Sequence, residues 1–263
     1  MIQSRKAAGT TNRNRQRGGR WLRRVHGCIA TLLALCSLVP TGATWGAEVH
    51  VTPALAKDAS RRGARLVRPG TFFAADVSGA TEGTWRALCP RPEGVALVST
   101  PVAIRTVPHP LSDDDPEPGG RSITAEKCPG ALALVRIDGL TDGPIATAAA
   151  GRVPIPRDTV ASLIVTDAEN VSFLQATPAS DGSVEIVVSS GERRQQVAAI
   201  ADCCNDTWPS ILWAGDLDRD GAIDLLLELS AHYAGSEQAL FLSSAARGTE
   251  LVGEVARFTA SGC

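Results

Sequence analysis

Short apolar segments recur along most of the chain, and glycine, proline or acidic residues bound each of them. Val, Ile and Phe are frequent in these segments and several alternate with polar residues, which is typical of β-strands. Turn pairs such as Asp181-Gly182 separate neighbouring segments, as in β-hairpins. The pattern predicts strands at residues 48–51, 72–77, 95–98, 102–107, 131–137, 160–165, 171–174, 184–188, 195–200 and 211–213. We therefore expect a mainly β fold, built as an antiparallel sandwich or barrel-like sheets with little helix.

The stretch after residue 224 allows two interpretations. Residues 225–232 contain leucine and glutamate, which are good helix formers, so one or two helical turns are an alternative there. Residues 240–242 follow Gly235 and Ser236 and have the character of a returning strand. We predict a strand, a polar tip and a second strand.

The first 47 residues have the composition of a secretory leader. Their eight Lys and Arg residues precede an apolar run at residues 28–39 and small residues at 41–43, and no acidic residue is present. This order is typical of a signal peptide, and the apolar run is too short for a membrane span. Cleavage after Ala43 suits the rule for small residues better than cleavage after Ala47.

A lipid anchor is a less favoured form of export. Cys36 follows an apolar run as in lipoproteins, but the residue before it is a bulky leucine where a small residue is needed. We expect a periplasmic or secreted protein with no membrane span in the mature chain.

Removal of the leader makes the chain acidic. The chain has 26 Lys and Arg residues, of which 18 remain without the leader's eight, against 28 Asp and Glu. The net charge of residues 48–263 is therefore about −10. Nucleic acids and anionic membrane surfaces require a basic partner, so the charge favours neither, and a cation is the better partner.

The mature segment is long enough for one or two domains with a core. Residues 111–120 are acidic and rich in proline and glycine, which predicts a surface loop. Residues 152–157 contain two prolines and predict an extended connector. We divide the chain into a leader (1–47), an N-terminal β unit (48–157) and a C-terminal β unit (158–263).

Five cysteines remain after the leader is removed, and export favours disulfides. We expect Cys89 to pair with Cys128, and Cys263 to pair with Cys203 or Cys204. A vicinal pair of Cys203 with Cys204 is the alternative. A zinc site is less favoured, because no Cys-x-x-Cys pair is present.

The most informative spacing lies between residues 216 and 224. Carboxylates stand at loop positions one, three, five and nine, where alternate side chains of a curled loop point inward toward a hard cation. Gly221 at position six permits the sharp turn, and position seven offers its backbone carbonyl. Oxygen ligands alone favour calcium. The predicted calcium ligands are Asp216, Asp218, Asp220, Ala222 and Asp224.

An EF-hand and a plain turn are the alternatives for this loop. An EF-hand needs a bidentate Glu at position twelve and a helix on each side. Position twelve is Leu227, and Pro209 and Gly215 disfavour a helix before the loop. A polar hairpin turn needs one or two carboxylates, whereas four at alternating positions would repel one another without a cation.

Residues 215–227, with the sequence GDLDRDGAIDLLL, resemble the calcium loop of FG-GAP and VCBS-type repeats. The resemblance implies that the loop joins two strands of an extracellular β-structure and binds calcium. The loop occurs once, so a full propeller of repeated blades is not expected. The closing segment, with residues 230–233 (SAHY), residues 240–244 (LFLSS) and the terminal Gly262-Cys263, also resembles a family of exported bacterial proteins with no assigned activity.

Motifs of catalysis are absent from the sequence, which has no nucleophile elbow, HExxH pair, P-loop or dinucleotide fingerprint. His232 and Tyr233 lie near Glu228 and are the better candidates for a small polar pocket, although Tyr233 more simply packs its ring at a sheet end. We expect a calcium-stabilised exported protein with a binding or envelope-associated role. An exported hydrolase with structural calcium is the alternative, and a calcium sensor is the third class.

Overall fold

Almost all of the described chain is antiparallel β-structure, as the hydrophobic pattern predicted. The computed structural model describes residues 50–51, 63–108, 119–157, 162–165, 171–201, 203–204 and 207–261. All of them fall within one compact unit bounded by Trp45 and Cys263. The predicted leader, most of the acidic loop at 111–120 and Cys263 itself lie outside the described residues.

The described strands form two sheets. They are β1 (His50–Val51), β2 (Arg65–Val67), β3 (Gly70–Phe73), β4 (Gly83–Arg91), β5 (Gly94–Val107), β6 (Gly120–Ala125), β7 (Leu134–Arg136), β8 (Gly143–Pro154), β9 (Ser162–Val165), β10 (Val171–Pro178), β11 (Val184–Ser190), β12 (Arg193–Ile200), β13 (Ser210–Asp216), β14 (Asp224–Glu228), β15 (Gly235–Leu242) and β16 (Gly253–Ser261). A short 3-10 helix, η1 (Ser243–Ala245), follows β15. Within the described ranges, no helix has the length and apolar character needed to cross a membrane.

The larger sheet is nearly closed into a barrel. Its strands follow the order β16-β15-β14-β13-β8-β5-β4-β7-β2, with β6 paired to β5 and β3 paired to β6. The edge strands β16 and β2 lie beside each other and complete the wall. The hairpin of β13 and β14 is therefore an interior part of the sheet, with β8 on one side and β15 on the other.

The smaller sheet has the order β1-β12-β11-β10-β9, in which β1 runs parallel to β12 and the other pairs are antiparallel. Its buried face packs against the C-terminal strands of the larger sheet. Ile186 and Val188 of β11 share a hydrophobic core with Leu225 and Leu227 of β14 and with Phe241 of β15. The larger sheet thus has a core on each face of these strands.

This second core explains the run of three leucines in β14. Every residue of β14 is buried. Leu226 packs in the barrel interior with Trp213, whereas Leu225 and Leu227 pack on the opposite face. A strand buried on both faces needs no polar alternation, so consecutive apolar residues are the expected pattern there.

Several predicted strands have different bounds in the structure. The strand predicted at 72–77 ends at Phe73, because the backbone turns and the amide of Asp76 donates to the carbonyl of Phe73 at 3.2 Å. The two strands predicted between residues 95 and 107 are one continuous strand, β5. The strand predicted at 131–137 is reduced to β7, because a turn brings the amide of Ala131 to the carbonyl of Cys128 at 3.2 Å.

The predicted connector at 152–157 is wrong for its first three residues, which end strand β8. Val153 and Pro154 pair with Ile211 and Ser210 of β13. An extended, proline-containing segment suits a connector and a strand end equally, and only the distant partner strand distinguishes them. The larger sheet therefore joins strands from both sides of the boundary that we placed at residue 157.

A buried disulfide joins Cys89 of β4 to Cys128 in the turn after β6, with the two Cα atoms 6.0 Å apart. This is the first pairing that the sequence predicted. Cys203 and Cys204 lie with their sulfur atoms next to each other, as in the vicinal alternative. Cys263 lies outside the described residues, so its bridge stays a prediction.

Candidate metal centre

Strands β13 and β14 hold the two ends of the aspartate loop. Asp216 is the last residue of β13 and Asp224 is the first residue of β14. Between them, Leu217 is fully buried in the barrel interior and Ile223 is buried in the second core. Two apolar anchors, one in each core, therefore hold the loop, which turns back sharply between them.

Two residues of the loop adopt left-handed backbone conformations. Gly221 has φ of 85°, as expected for the glycine at position six of the loop, since a side chain there would strain the backbone. Arg219 has φ of 62° and directs its guanidinium away from the carboxylates. That guanidinium donates to the carbonyls of Thr141 at 3.1 Å and Pro144 at 3.2 Å, and so fixes the loop to the start of β8 and the residues just before it.

Three of the four predicted carboxylates converge. Asp216, Asp218 and Asp224 each offer one oxygen atom, and these atoms all lie within 4.8 Å of one another. Asp220 does not join them. Its carboxylate turns to Ser243 of η1, whose hydroxyl donates to both oxygens at 2.8 and 2.9 Å. The amide of Ala222 donates to the same carboxylate at 2.9 Å.

Backbone amides hold two of the three converging carboxylates in place. Asp216 accepts from the amides of Asp220 and Gly221, each at 3.0 Å. Asp224 accepts from the amide of Leu217 at 2.7 Å on one oxygen and from the amide of Ser243 at 2.8 Å on the other. These bonds orient the carboxylates and also link both ends of the loop to η1.

Two serines of η1, Ser243 and Ser244, bind the aspartate carboxylates, and the sequence pattern did not predict them. Ser243 contacts both Asp220 and Asp224, and the hydroxyl of Ser244 donates to Asp218. The spacing of the aspartates contains no signal for these residues, which lie about twenty positions further along the chain. The pairing of β14 with β15 brings them to the loop.

Asp224 is the electrostatic centre of the cluster. Its side chain is fully buried, and this burial raises its pKa to about 7. The charge of Asp218 raises the pKa further, while the amide of Ser243 lowers it. A carboxylate in this environment favours a proton or a cation, because either removes the cost of a buried negative charge.

The donor set of the cluster consists of oxygen atoms alone. Carboxylates together with the nearby hydroxyls of Ser243 and Ser244 suit hard divalent cations such as calcium, and no sulfur or imidazole ligand is present among the described residues of the cluster. Asp216, Asp218 and Asp224 would hold the ion. Asp220 sits at the rim and would need to leave Ser243 to reach it.

Tyr233 and the tryptophans differ in how deeply their side chains are buried. The expectation that Tyr233 packs its ring at a sheet end is wrong, since 69% of the residue is exposed. Trp85 and Trp213 are buried in the core. Trp208 is half-buried and, with Tyr233 and Glu228, lines a separate cavity of about 370 Å³.

Comparison of the chain with protein-family models, with curated proteins and with solved structures found no match in any of the three. The resemblance of the aspartate loop to FG-GAP and VCBS-type repeats therefore stays a prediction that rests on residues 215–227.

Proposed function

We propose that this chain is an exported β-protein that binds a calcium ion in the aspartate loop and acts by binding a partner. The observation that carries the metal assignment is the convergence of Asp216, Asp218 and Asp224 at a loop between two core strands. Asp216 and Asp224 accept hydrogen bonds from backbone amides and Asp218 accepts one from the Ser244 hydroxyl, so each of the three carboxylates is held by a hydrogen bond.

Electrostatics support a cation at this position. Three carboxylates at such close range repel one another, and the burial of Asp224 removes the water that would screen them. Hydrogen bonds from amides offset a part of this cost. A divalent ion would offset more, because it attracts all three groups at once.

The proposed role of the ion is structural. The loop joins β13 to β14, which are buried on both faces, and Asp224 also contacts the residue that begins η1. An ion at the cluster would tie two strands and η1 together. A ligand that binds only the folded state adds its binding free energy to the stability of the fold.

Export fits two further features of the chain. The buried Cys89–Cys128 bond suits an oxidising compartment, and the leader predicted at residues 1–47 supplies the route. N-terminal sequencing of the protein recovered from the periplasm or medium tests this part, with cleavage expected after Ala43. Recovery of the intact chain from the cytoplasm would contradict export.

Thermal unfolding tests the calcium site. Calcium at about 1,000 times its Kd should raise the melting temperature by roughly 10 °C, and a chelator should reverse the change. The double variant Asp216→Asn, Asp218→Asn should lose the response. Asp181→Asn, an exposed aspartate in a hairpin of the smaller sheet, is the matched control and should keep it.

A melting temperature that neither calcium nor a chelator moves would overturn the metal assignment. Magnesium serves as a second probe, because it has the same charge but demands a smaller and more regular set of ligands. We expect a weaker shift with magnesium than with calcium at equal concentration.

A further inference from the structure

A cavity of about 370 Å³ opens at the end of β14 that is opposite the aspartate loop. β14 begins at Asp224 and ends at Glu228, which lines the cavity. At about 3.4 Å per residue, the two sites are roughly 14 Å apart along the strand. The volume is within the range of pockets that bind small molecules.

The floor of the cavity is a buried polar network. Glu228 is only 3% exposed, and one of its oxygens accepts from the amide of Glu237 at 3.1 Å and from the hydroxyl of Ser230. Its other oxygen lies 3.4 Å from the guanidinium of Arg152. A buried carboxylate with this set of partners is ordered, and it holds Arg152 at the cavity wall.

A second arginine of the cavity wall, Arg68, uses only part of its hydrogen-bonding capacity. The guanidinium of Arg68 lies 5.6 Å from the centre of the Phe72 ring and donates to the Ser236 hydroxyl at 3.1 Å. No ion pair of Arg68 is present among the residues that the structure describes. A guanidinium has five N–H donors, so several remain for an anionic ligand.

The charge of the cavity is opposite to that of the chain. Two arginines and one glutamate are the charged residues among those lining it, whereas the mature chain is acidic. The cavity therefore attracts a small anion, and a carboxylate matches the planar geometry of a guanidinium.

Trp208 and Tyr233, two of the aromatic residues that line the cavity, differ in their contacts. Trp208 donates its indole N–H to the carbonyl of Ile155, and the guanidinium of Arg157 covers its ring at 3.7 Å. Tyr233 is 69% exposed and lines the cavity. A sugar ring has an apolar C–H face that packs on such a ring and hydroxyls on its edge, which the serine and threonine hydroxyls of the wall complement.

We propose that this cavity binds an acidic sugar of the size of one monosaccharide, a uronic acid, with its carboxylate at Arg68 and its ring against Tyr233. The proposal rests on the binding role proposed above and names the class of ligand. Arg152 adds positive charge beside the carboxylate, and Glu228 is a positioning residue that orients Arg152.

Titration of the exported protein in saturating calcium, followed by NMR or calorimetry, tests the site. The probes are D-glucuronate, D-glucose, which has the ring without the charge, and inorganic phosphate, which has the charge without the ring. We expect glucuronate to bind at least tenfold more tightly than either of the other two. Equal binding of glucose, or of phosphate, would overturn the proposal, as would no binding of glucuronate.

Variants separate the two contacts. Arg68→Gln should weaken glucuronate binding about tenfold and leave the weak glucose binding unchanged, while Tyr233→Ala should weaken both sugars. Arg105→Gln, an exposed arginine on β5, is the control and should change neither. Glucuronate binding that is insensitive to Arg68→Gln and to Tyr233→Ala would place the ligand elsewhere and refute the assignment.

The two proposals fail separately. Loss of sugar binding in protein whose melting temperature still rises with calcium would overturn only the cavity assignment. Sugar binding in protein that shows no response to calcium would overturn only the metal assignment.

Discussion

Asp224 is the residue of the loop whose burial and hydrogen bonds most affect its own pKa. It is buried, it accepts hydrogen bonds from the amides of Leu217 and Ser243, and it faces the charge of Asp218. Its raised pKa, about 7, means that the folded protein binds a proton at this carboxyl more tightly than the unfolded chain does. A cation at the proposed site would compete with that proton for the same oxygens.

The pH dependence of stability follows from the sign of this shift. In calcium-free buffer, the contribution of Asp224 is fully present below the unfolded pKa of about 4 and is lost as the pH rises through about 7. The loss is at most roughly 4 kcal/mol, given about 1.4 kcal/mol per pKa unit. Saturating calcium should remove this loss, because the ion stabilises the ionised form.

Denaturant unfolding at pH 4 to 8 checks this prediction, with Asp224→Asn as the control. Asn keeps the shape of the side chain and does not titrate, so the difference in stability between the wild type and the variant should fall as the pH rises. Parallel pH profiles for the two proteins would show that Asp224 does not have the raised pKa.

At the scale of the element, the β13–β14 hairpin is buried on both faces of the sheet. Two separate cores cover it, one inside the barrel and one under the smaller sheet. A different polar group lies at each end of the hairpin. The aspartate loop is at one end and the hydrogen-bonded, buried Glu228 is at the other. Rigid strands between these ends position both sets of side chains.

Truncation of neighbouring leucines in β14 should be equally damaging. Leu226→Ala empties space in the barrel interior and Leu227→Ala empties space in the second core, and each should cost about 2–5 kcal/mol of unfolding free energy. Val153→Ala, on the half-exposed surface of β8, should cost less than about 0.5 kcal/mol. Denaturant titration measures all three.

An ordinary half-exposed strand would give one large cost and one small cost for such neighbouring positions, because its side chains alternate between core and solvent. That outcome for Leu226 and Leu227 would contradict the covering of the hairpin by the smaller sheet.

At the scale of the whole molecule, long-range links complete the fold. The edges of the barrel come together where β16 lies beside β2, at opposite ends of the described chain. The disulfide between Cys89 and Cys128 closes a loop of the chain that contains β5 and β6. Such links stabilise the fold mainly by restricting the unfolded chain.

Removal of this disulfide should be costly. The two cysteines are 39 positions apart, and closing a loop of that length is worth about 4 kcal/mol. The variant Cys89→Ala, Cys128→Ala should therefore lose roughly that much stability in denaturant titration. With Cys203 and Cys204 bonded to each other, the variant Cys203→Ser, Cys204→Ser should lose far less, because a bond between adjacent residues closes almost no loop, whereas loss of a bridge to Cys263 would cost about as much as loss of Cys89–Cys128.

A Cys89→Ala, Cys128→Ala variant as stable as the wild type would contradict this account of the disulfide. Mass spectrometry under non-reducing conditions gives the pairing directly, and it includes Cys263, which lies outside the described residues.

The sequence by itself determined those features that depend on a few adjacent residues. Strand periodicity, turns at Asp181-Gly182 and the left-handed position of Gly221 follow from local backbone preferences. The convergence of Asp216 and Asp218 follows from their alternate positions in one curled loop. For the same reason, the mainly β class and the central part of the candidate metal site were predictable.

Only the tertiary structure decided which distant residues meet. Asp220 turns to Ser243 because the β14–β15 pairing places η1 beside the loop, and β14 is buried on both faces because a second sheet packs there. Arg68, Arg152 and Tyr233 line one cavity although long stretches of chain separate them. Such contacts depend on strand order and sheet packing, which minimise exposed apolar surface over the entire chain and leave no local signal.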